Sequence, residues 1–363
     1  MTAPLQRRRA LAWLAALAAS PVAAPCRARA QDGAQVSSNY HLTFPRDHAS
    51  HPQFRTEWWY ATGWLRGAAE DPLGFQITFF RTRRKDDGNP SAFAPRQIMI
   101  AHAALSDPRA GRLAHAERVA RAGFGLAGAD DTRALAWVDN WSFAQEAGGF
   151  RVRVPARDFT LDLTLAPTQP PLLNGANGVS RKGRDPAAAS YYYSLPHLVV
   201  SGTLVRGADT QFVAGSAWLD HEWSASYVET GAVGWDWIGI NADDGGALMA
   251  FRMRDAAGGA RWAGATWRSR NGTTRVFNPD EVSFTARRDW RSPRSGVRYP
   301  VVFDVKAGEF EIALEPLFDD QEIDVRRTTG TIYWEGAVRA MRGGKPFGRG
   351  YLELTGYWKP LKL

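Results

Sequence analysis

The sequence predicts an all-β fold of antiparallel barrels. Three observations carry this reading: apolar and polar residues alternate with period two along most of the chain, turn-forming residues separate the alternating runs, and no long amphipathic helical period occurs. The first run sets Trp58-Tyr60-Thr62-Trp64 against Trp59-Ala61-Gly63-Leu65, and the second sets Phe75-Ile77-Phe79 against Gln76-Thr78-Phe80. Further strands are expected at 98–106, 150–155, 159–166, 198–205, 216–223, 235–241, 247–254 and 261–268. The best helical window, 112–121, breaks at Gly123. Asp243-Asp244-Gly245-Gly246, Ala257-Gly258-Gly259, Asn271-Gly272 and Gly343-Gly344-Lys345-Pro346 supply hairpin chemistry, so neighbouring strands are expected to run antiparallel. Many short strands without covering helices point to barrels or sandwiches, and aromatics on both faces of several strands favour barrels.

The N-terminus has the three-part order of an export signal: Arg7, Arg8 and Arg9, an apolar run over 10–19, and the small-residue exit Ala28-Arg29-Ala30. Residues 1–30 are therefore expected to be removed and the protein to reach the periplasm or the medium. Both the general secretory and the twin-arginine routes are open. The apolar run ends at Ser20 and Pro21, well short of the ~20 residues that cross a bilayer, so no transmembrane segment is expected.

Cys26, the one cysteine, follows Pro25 and precedes the expected cut, which argues against lipidation and leaves the mature chain without disulfides, thiolate metal ligands or a cysteine nucleophile. The leader holds five of the 45 basic residues and none of the 37 acidic ones. That leaves 40 against 37, a net charge of +3, which gives no reason to expect a nucleic-acid or polybasic membrane partner. The 333 residues after the leader exceed the usual size of one core, so two units are expected, 31–207 and 208–363, with the boundary near 207–211. Trp59-Tyr60 is echoed by Tyr333-Trp334 and Tyr357-Trp358, as a duplication or chance aromatic pairing would produce. Residues 167–189, rich in proline, glycine and basic residues, read as a long ordered loop leading into Tyr191-Tyr192-Tyr193, a candidate lid or mouth loop.

The densest polar constellation is Asp220-His221-Glu222-Trp223. On a strand, Ala217, Leu219, His221 and Trp223 share one face while Trp218, Asp220 and Glu222 share the other. A tryptophan beside polar groups on each face implies burial of both, and buried acids or imidazoles are either paired or shifted in pKa toward the range of acid–base catalysis. The alternatives are a catalytic cluster and a structural network. Arg55-Thr56-Glu57-Trp58-Trp59-Tyr60 reads either as the floor of an apolar pocket anchored by Glu57 or as a structural barrel plug. Trp235-Asp236-Trp237 sets an acid between two indoles, a candidate proton donor or a surface aspartate beside inward-pointing rings. His102 reads as an interior strand histidine. Asp47, His48 and His51 form a loose metal-like group without the spacing of a zinc site, and no metal is expected. Ser194, Ser216 and Ser224 lack a nucleophile-elbow context.

The run from His51 to Tyr60, the motif Trp218-Leu219-Asp220-His221-Glu222-Trp223, the segment Gly234-Trp235-Asp236-Trp237-Ile238-Gly239 and the closing Gly350-Tyr351-Leu352-Glu353-Leu354-Thr355-Gly356-Tyr357 resemble the AttH-like family of secreted lipocalin-like proteins, related to carotenoid 1,2-hydratases. The resemblance covers nearly the whole chain after the leader. It implies two lipocalin-like antiparallel β-barrels packed together, with an apolar cavity near their contact. Relatives include hydratases that protonate an isolated alkene and proteins that assist cycloadditions of polyenes. In the hydratases a histidine, a nearby tryptophan and an aspartate serve proton delivery; His221 and Trp223 fit the first two, and Asp236 is the candidate acid, although it follows Trp235 without the expected intervening residue. The resemblance thus implies a cofactor-free hydratase or cyclase using His221, Asp236, Trp223, Asp220 and Glu222. Glu57, Trp58, Trp59, Tyr60, Trp235, Trp237 and Tyr192 would bind a long, apolar, unsaturated ligand. Two alternatives remain: a lipid or polyketide carrier of the cell envelope, and a purely structural envelope protein.

Overall fold

In a computed structural model, which describes residues 33–67, 71–84, 91, 93–226 and 228–361, the alternating runs form two antiparallel sheets. The expected export signal, 1–30, lies outside the described residues.

The first sheet begins with the meander β1 (Thr56–Arg66), β2 (Pro72–Arg83), β3 (Gln97–Ser106) and β4 (Ala114–Arg121). A second meander comprises β5 (Ala127–Ala129), β6 (Leu135–Val138), β7 (Trp141–Glu146), β8 (Gly149–Pro155) and β9 (Thr160–Ala166). Two short strands, β10 (Leu172–Leu173) and β11 (Val179–Arg181), pair with β12 (Ala189–Arg206), which forms a long hairpin with β13 (Asp209–Ser226). The order is β4-β3-β2-β1-β13-β12-β9-β8-β7-β6-β5, and a bridge between Gly123 and Ala127 links the chain where β4 turns into β5. The sheet therefore curls so that its two ends meet.

The second sheet contains β14 (Gly234–Ala242), β15 (Ala247–Arg254), β16 (Ala260–Arg268), β17 (Thr274–Phe277), β18 (Val282–Arg291) and β19 (Arg298–Ala307). It is completed by β20 (Phe310–Pro316), β21 (Glu322–Val325), β22 (Thr331–Arg342) and β23 (Lys345–Leu354). Its order is β17-β16-β15-β14-β23-β22-β20-β19-β18, with β21 on β22, and β15 and β16 pack against β18 to close the curl. All four predicted hairpin sequences join consecutive strands of this sheet.

Each barrel has its own apolar core. Trp59, Phe75, Phe79, Tyr193 and Trp223 fill the first; Ile238, Tyr299, Phe303, Trp334 and Leu352 fill the second. A third cluster lies between them, with Tyr60, Trp64, Tyr192 and Trp218 of the first barrel against Trp237, Met249, Phe251 and Tyr351 of the second. Strands at this contact are covered on both faces, which is why β1 carries aromatics on both. Each fully buried large apolar side chain contributes about 1.5–3 kcal/mol, so the contact is a core in its own right. Trp59-Tyr60 and Tyr333-Trp334 are used alike: the tryptophan enters its own barrel and the tyrosine leaves it.

The helical window 112–121 is mostly strand β4, which hydrogen-bonds along β3; that pairing outweighs a weak local helical preference. Residues 207–211 are not a boundary between sheets: Gly207-Ala208 is the turn of the β12–β13 hairpin and 209–211 begin β13. The register requires β13 to pair with both β1 and β12, so the first sheet runs on to Ser226 and the second starts at Gly234.

Candidate functional site

The pairing of β13 with β1 and β12 builds one wall of a cleft between the barrels. The register sets Glu222 between Trp58 and Tyr192, and Asp220 between Tyr60 and Ser194. Trp235 and Trp237 of β14, Phe251 and Met253 of β15, Tyr333 and Glu335 of β22, and Glu353 of β23 form the opposite wall. The cleft holds about 680 Å³ of unfilled space, its open mouth included. Residues 167–189 form a strap across it rather than a free lid. Asn174 Nδ2 donates to Ser194 Oγ at 2.8 Å, Gly175 N donates to Thr266 Oγ1 at 3.1 Å in the second barrel, and Arg268 Nη1 donates to Pro170 O at 2.6 Å. The strap delivers Lys182, whose Nζ lies 2.9 Å from Glu222 Oε1 and over the rings of Tyr192 and Phe251, 4.7 and 4.2 Å from their centroids.

Four carboxyl groups face this aromatic space. Glu222 is paired with Lys182 and accepts from Ser190 Oγ. Asp220 accepts from Ser194 Oγ at 2.6 Å, Trp218 Nε1 at 2.6 Å and Tyr192 OH at 2.7 Å, while Trp237 Nε1 donates to Tyr192 OH at 2.9 Å. Burial nevertheless pushes the Asp220 pKa up to about 7, the three donors only partly offsetting it. Glu335 and Glu353 stand directly opposite each other on β22 and β23. Like charges at that spacing repel. Burial pushes Glu353 up to about 7, opposed by Trp235 Nε1 donating at 2.9 Å, and burial together with the charge of Glu353 raises Glu335 well above the carboxylate range. Hydrogen bonds from Tyr60 and Tyr333 offset that rise only in part. Three of the four, Asp220, Glu335 and Glu353, thus keep their protons to unusually high pH.

These shifts set a stability trend. Folded Asp220 and Glu353 titrate near 7, against ordinary values of 3.8 and 4.5, so between about pH 4 and 7 the folded state binds more protons than the unfolded state. Their contribution falls as pH rises through that window. The Glu353→Gln variant is expected to lose less melting temperature than the wild type between pH 5 and pH 8; parallel thermal melts at the two pH values would check this, and identical slopes would refute it.

On the reverse side of the same strands lies a second network, inside the first barrel. Glu57 Oε1 lies 2.8 Å from His51 Nδ1 and 3.0 Å from His221 Nε2, and Glu57 Oε2 accepts from Ser50 Oγ at 2.7 Å and Arg81 Nε at 2.8 Å. His51 Nε2 lies 3.2 Å from Asp47 Oδ1, and His221 Nδ1 lies 3.0 Å from Asp47 O. Trp59 and Trp223 stack on the two histidines, at ring-centroid distances of 4.7 Å to His221 and 3.7 Å to His51 respectively. Burial opposes ionisation of Glu57, but hydrogen bonds from His221 and His51 and the charge of Arg81 hold its pKa well below the usual range. Burial likewise works against a charged His51, yet bonds to Asp47 and Glu57 raise its pKa; burial lowers that of His221. Two acids are therefore balanced by His51 and Arg81. His51, Glu57 and His221 bring their ligand atoms within 4.8 Å of one another, as a metal site would. The donor set fits a divalent cation only in part, because Arg81 fixes a positive charge 2.8 Å from Glu57.

The sequence-predicted residues thus divide between two sites. Asp220, Glu222, Trp58, Tyr60, Tyr192, Trp235 and Trp237 line the cleft. His221, Trp223, Glu57 and Trp59 are in the first barrel's interior, because strand alternation turns them to the other face. Asp236 also faces away from the cleft. Alternation aims it into the second barrel, where Arg252 Nε at 2.6 Å, Arg254 Nε at 2.9 Å and Tyr357 OH at 3.0 Å bind its carboxyl group. Arginines pair with Glu57 and Asp236, whereas Asp220 has neutral donors and Glu222 a lysine. Glu335, Glu353 and Lys182 were not anticipated as site residues. Their signal was present in Tyr333-Trp334-Glu335-Gly336 and Leu352-Glu353-Leu354, where a carboxyl group interrupts a strand too apolar to be solvent-facing.

Residues 35–357 match the family model described as AttH-like. An AttH candidate from Nitrosomonas europaea is 50% identical, with 89% of this chain and 99% of that one covered and a TM-score of 0.85. Kievitone hydratase from Nectria haematococca is 17% identical over 90% of this chain and 97% of its own, with a TM-score of 0.67, a likeness of fold. The comparison with curated proteins gives no match. A family match over almost all of the described residues, joined to a half-identical structure of the same architecture, shows that the chain belongs to the AttH-like family.

Proposed function

We propose that the protein is an exported, cofactor-free acid–base catalyst that protonates a carbon–carbon double bond of an apolar small molecule held between its barrels and adds water to the resulting cation. The observation that carries this reading is the set of buried carboxyl groups, Asp220, Glu335 and Glu353, with raised pKa on the walls of an aromatic cleft. A neutral carboxylic acid at neutral pH is a proton donor, and two acids whose pKa values are pushed apart can divide the acid and base roles. Glu335, which faces the cleft and keeps its proton well above the usual carboxylate range, gives that proton to the alkene carbon. The π faces of Trp58 and Trp237 stabilise the carbocation. Water adds to the cation and its surplus proton passes to ionised Asp220, so one water is added across the bond and the enzyme's two protons re-equilibrate through solvent. Capture by a group of the substrate itself would give a cyclisation in the same site. The hydratase fold neighbour is consistent with this chemistry, and export rests on the leader sequence alone.

His221 and Trp223 take a positioning role. They anchor the reverse face of the strand that presents Asp220 and Glu222 to the cleft.

The test is native mass spectrometry and extract analysis of the protein isolated from its own envelope, beside Asp220→Asn and Asp236→Asn variants. Wild type and Asp236→Asn are expected to yield a ligand that has gained water or closed a ring, whereas Asp220→Asn retains the unreacted ligand. The same unmodified lipid on all three would make the protein a carrier and overturn the proposal. Loss of turnover only in a folded Asp236→Asn protein would restore Asp236 as the acid.

A further inference from the structure

His102 belongs neither to the cleft lining nor to the network inside the first barrel. It stands buried on β3, directly opposite Glu117 on β4, on the face turned away from the first core. Its Nδ1 lies 3.1 Å from Tyr333 OH and its Nε2 lies 3.1 Å from Thr328 Oγ1. Thr328 Oγ1 donates to Glu117 Oε2 at 2.5 Å, a closer and more strongly accepting partner than Val325 O at 3.4 Å, and exposed Arg327 lies 3.4 Å from the other Glu117 oxygen. At the opposite end Tyr333, which lines the cleft, hydrogen-bonds to Glu335. One row of hydrogen bonds therefore runs from the Arg327–Glu117 pair at the surface through Thr328, His102 and Tyr333 to the acid on the cleft wall.

The direction of each bond follows from the number of protons available. Burial, together with the charge of His115, lowers the His102 pKa to about 3, so at neutral pH its ring is uncharged, with one N–H and one bare nitrogen. Thr328 has a single proton and gives it to Glu117, so it accepts from Nε2–H of His102. Nδ1 is then bare and takes the Tyr333 proton, and Tyr333, with none left, can only accept from Glu335. That last link exists while Glu335 carries its proton. Ionised Glu335 needs Tyr333 to turn and donate, which in turn needs the other His102 tautomer and leaves Thr328 with one proton for two acceptors, Nε2 and Glu117. Ionisation thus loses one buried hydrogen bond somewhere along the row.

We propose that Glu117, Thr328, His102 and Tyr333 are positioning residues for the proton donor of the cleft, a relay that orders their protons so that Glu335 is held in its acid form. The purpose of the relay rests on the acid-catalysed reading of the cleft; its existence does not. The other titratable groups at its two ends are Tyr60, Tyr351 and Glu353 around Glu335, and His115 near His102.

The experiment has two readouts on the full protein, neither of which needs the ligand. Nitrogen NMR of protein labelled in its histidines, with His102 assigned from a His102→Gln variant, is expected to show the neutral Nε2–H tautomer at pH 7 and a change to Nδ1–H as Glu335 ionises. Glu335→Gln, whose amide still donates to Tyr333, should keep Nε2–H at every pH. An Nδ1–H ring in the wild type at pH 7, or a tautomer indifferent to Glu335, would overturn the proposal. Infrared titration of the Glu335 carboxyl band, assigned by its loss in Glu335→Gln, gives the second readout. Thr328→Val removes the hydroxyl and keeps the shape, and the midpoint of the band should fall by about one pH unit, the scale of one buried hydrogen bond. In a Tyr333→Phe background, where the row is already cut, the same substitution should leave the midpoint unmoved, whereas a purely structural Thr328 would shift both backgrounds alike and sink the relay. If the His102 tautomer follows Glu335 while Glu335→Gln leaves turnover intact, the relay stands and the catalytic reading falls.

Discussion

Replacing Glu335 by glutamine is expected to lower turnover by about 10²–10⁴-fold, the usual worth of a general acid, with no loss of folded protein. The side chain keeps its shape, but the amide cannot protonate an alkene. Stability should hold or rise, because the wild type spends free energy on two buried carboxyl groups set directly opposite each other and the variant removes one of them. The change also acts on Glu353. Its carboxyl group is raised to about 7 chiefly by burial, so the variant leaves it a titrating group, while Glu335 no longer competes for the proton. In the wild type the pH profile should rise as Asp220 ionises near 7 and fall only when Glu335 loses its proton at higher pH. The variant, without that acid, should be slow at every pH. Wild-type turnover in a folded Glu335→Gln protein would remove Glu335 from the mechanism and shift the donor role to Asp220 or Glu353.

The division of polar residues between cleft and barrel explains what could be read from the sequence. Alternation alone placed Asp220 and Glu222 on one face of β13 and His221 and Trp223 on the other, as the structure has them. It could not say which face met a cavity, because a strand buried on both sides looks apolar in both registers. Asp236 shows the cost. Between two tryptophans it reads as an acid in apolar surroundings, yet Trp235 and Trp237 point to the cleft and Asp236 to Arg252 and Arg254, which are contributed by the next strand. Glu335 and Glu353 were hidden for a related reason. Each lies in a strand whose partner becomes known only from the β22–β23 register, and it is the pairing, not either residue, that creates the proton-holding dyad. The sheet boundary failed in the same way: a glycine-containing turn such as Gly207-Ala208 looks identical whether it ends a domain or bends a hairpin.

The Glu57→Ala substitution is expected to destabilise the protein by about 3–5 kcal/mol, the cost of breaking a buried ion pair from one side. Glu57 is the common partner of His51, His221, Arg81 and Ser50 and is fully buried. Alanine would leave Arg81 and His51 as positive charges inside the barrel without their shared carboxylate, in a cavity too tightly walled by Trp59 and Trp223 to solvate them freely. The linkage has a definite sign. The folded-state pKa of Glu57 is depressed, so its stabilisation is complete above the ordinary carboxylate pKa of 4.5 and is lost as pH falls through the folded value. This is opposite to the cleft acids on the reverse face of the same strands, whose contribution declines as pH rises toward 7. Urea titrations at pH 7 and pH 4 would separate the two networks, with the Glu57→Ala deficit larger at pH 7. Asp324→Ala provides the control, because its partner Arg326 is exposed and such pairs contribute about 0–1 kcal/mol. A Glu57→Ala deficit no larger than that of the control would mean that the barrel holds its shape by apolar packing alone, and that β13 presents Asp220 and Glu222 to the cleft without help from the charges behind them.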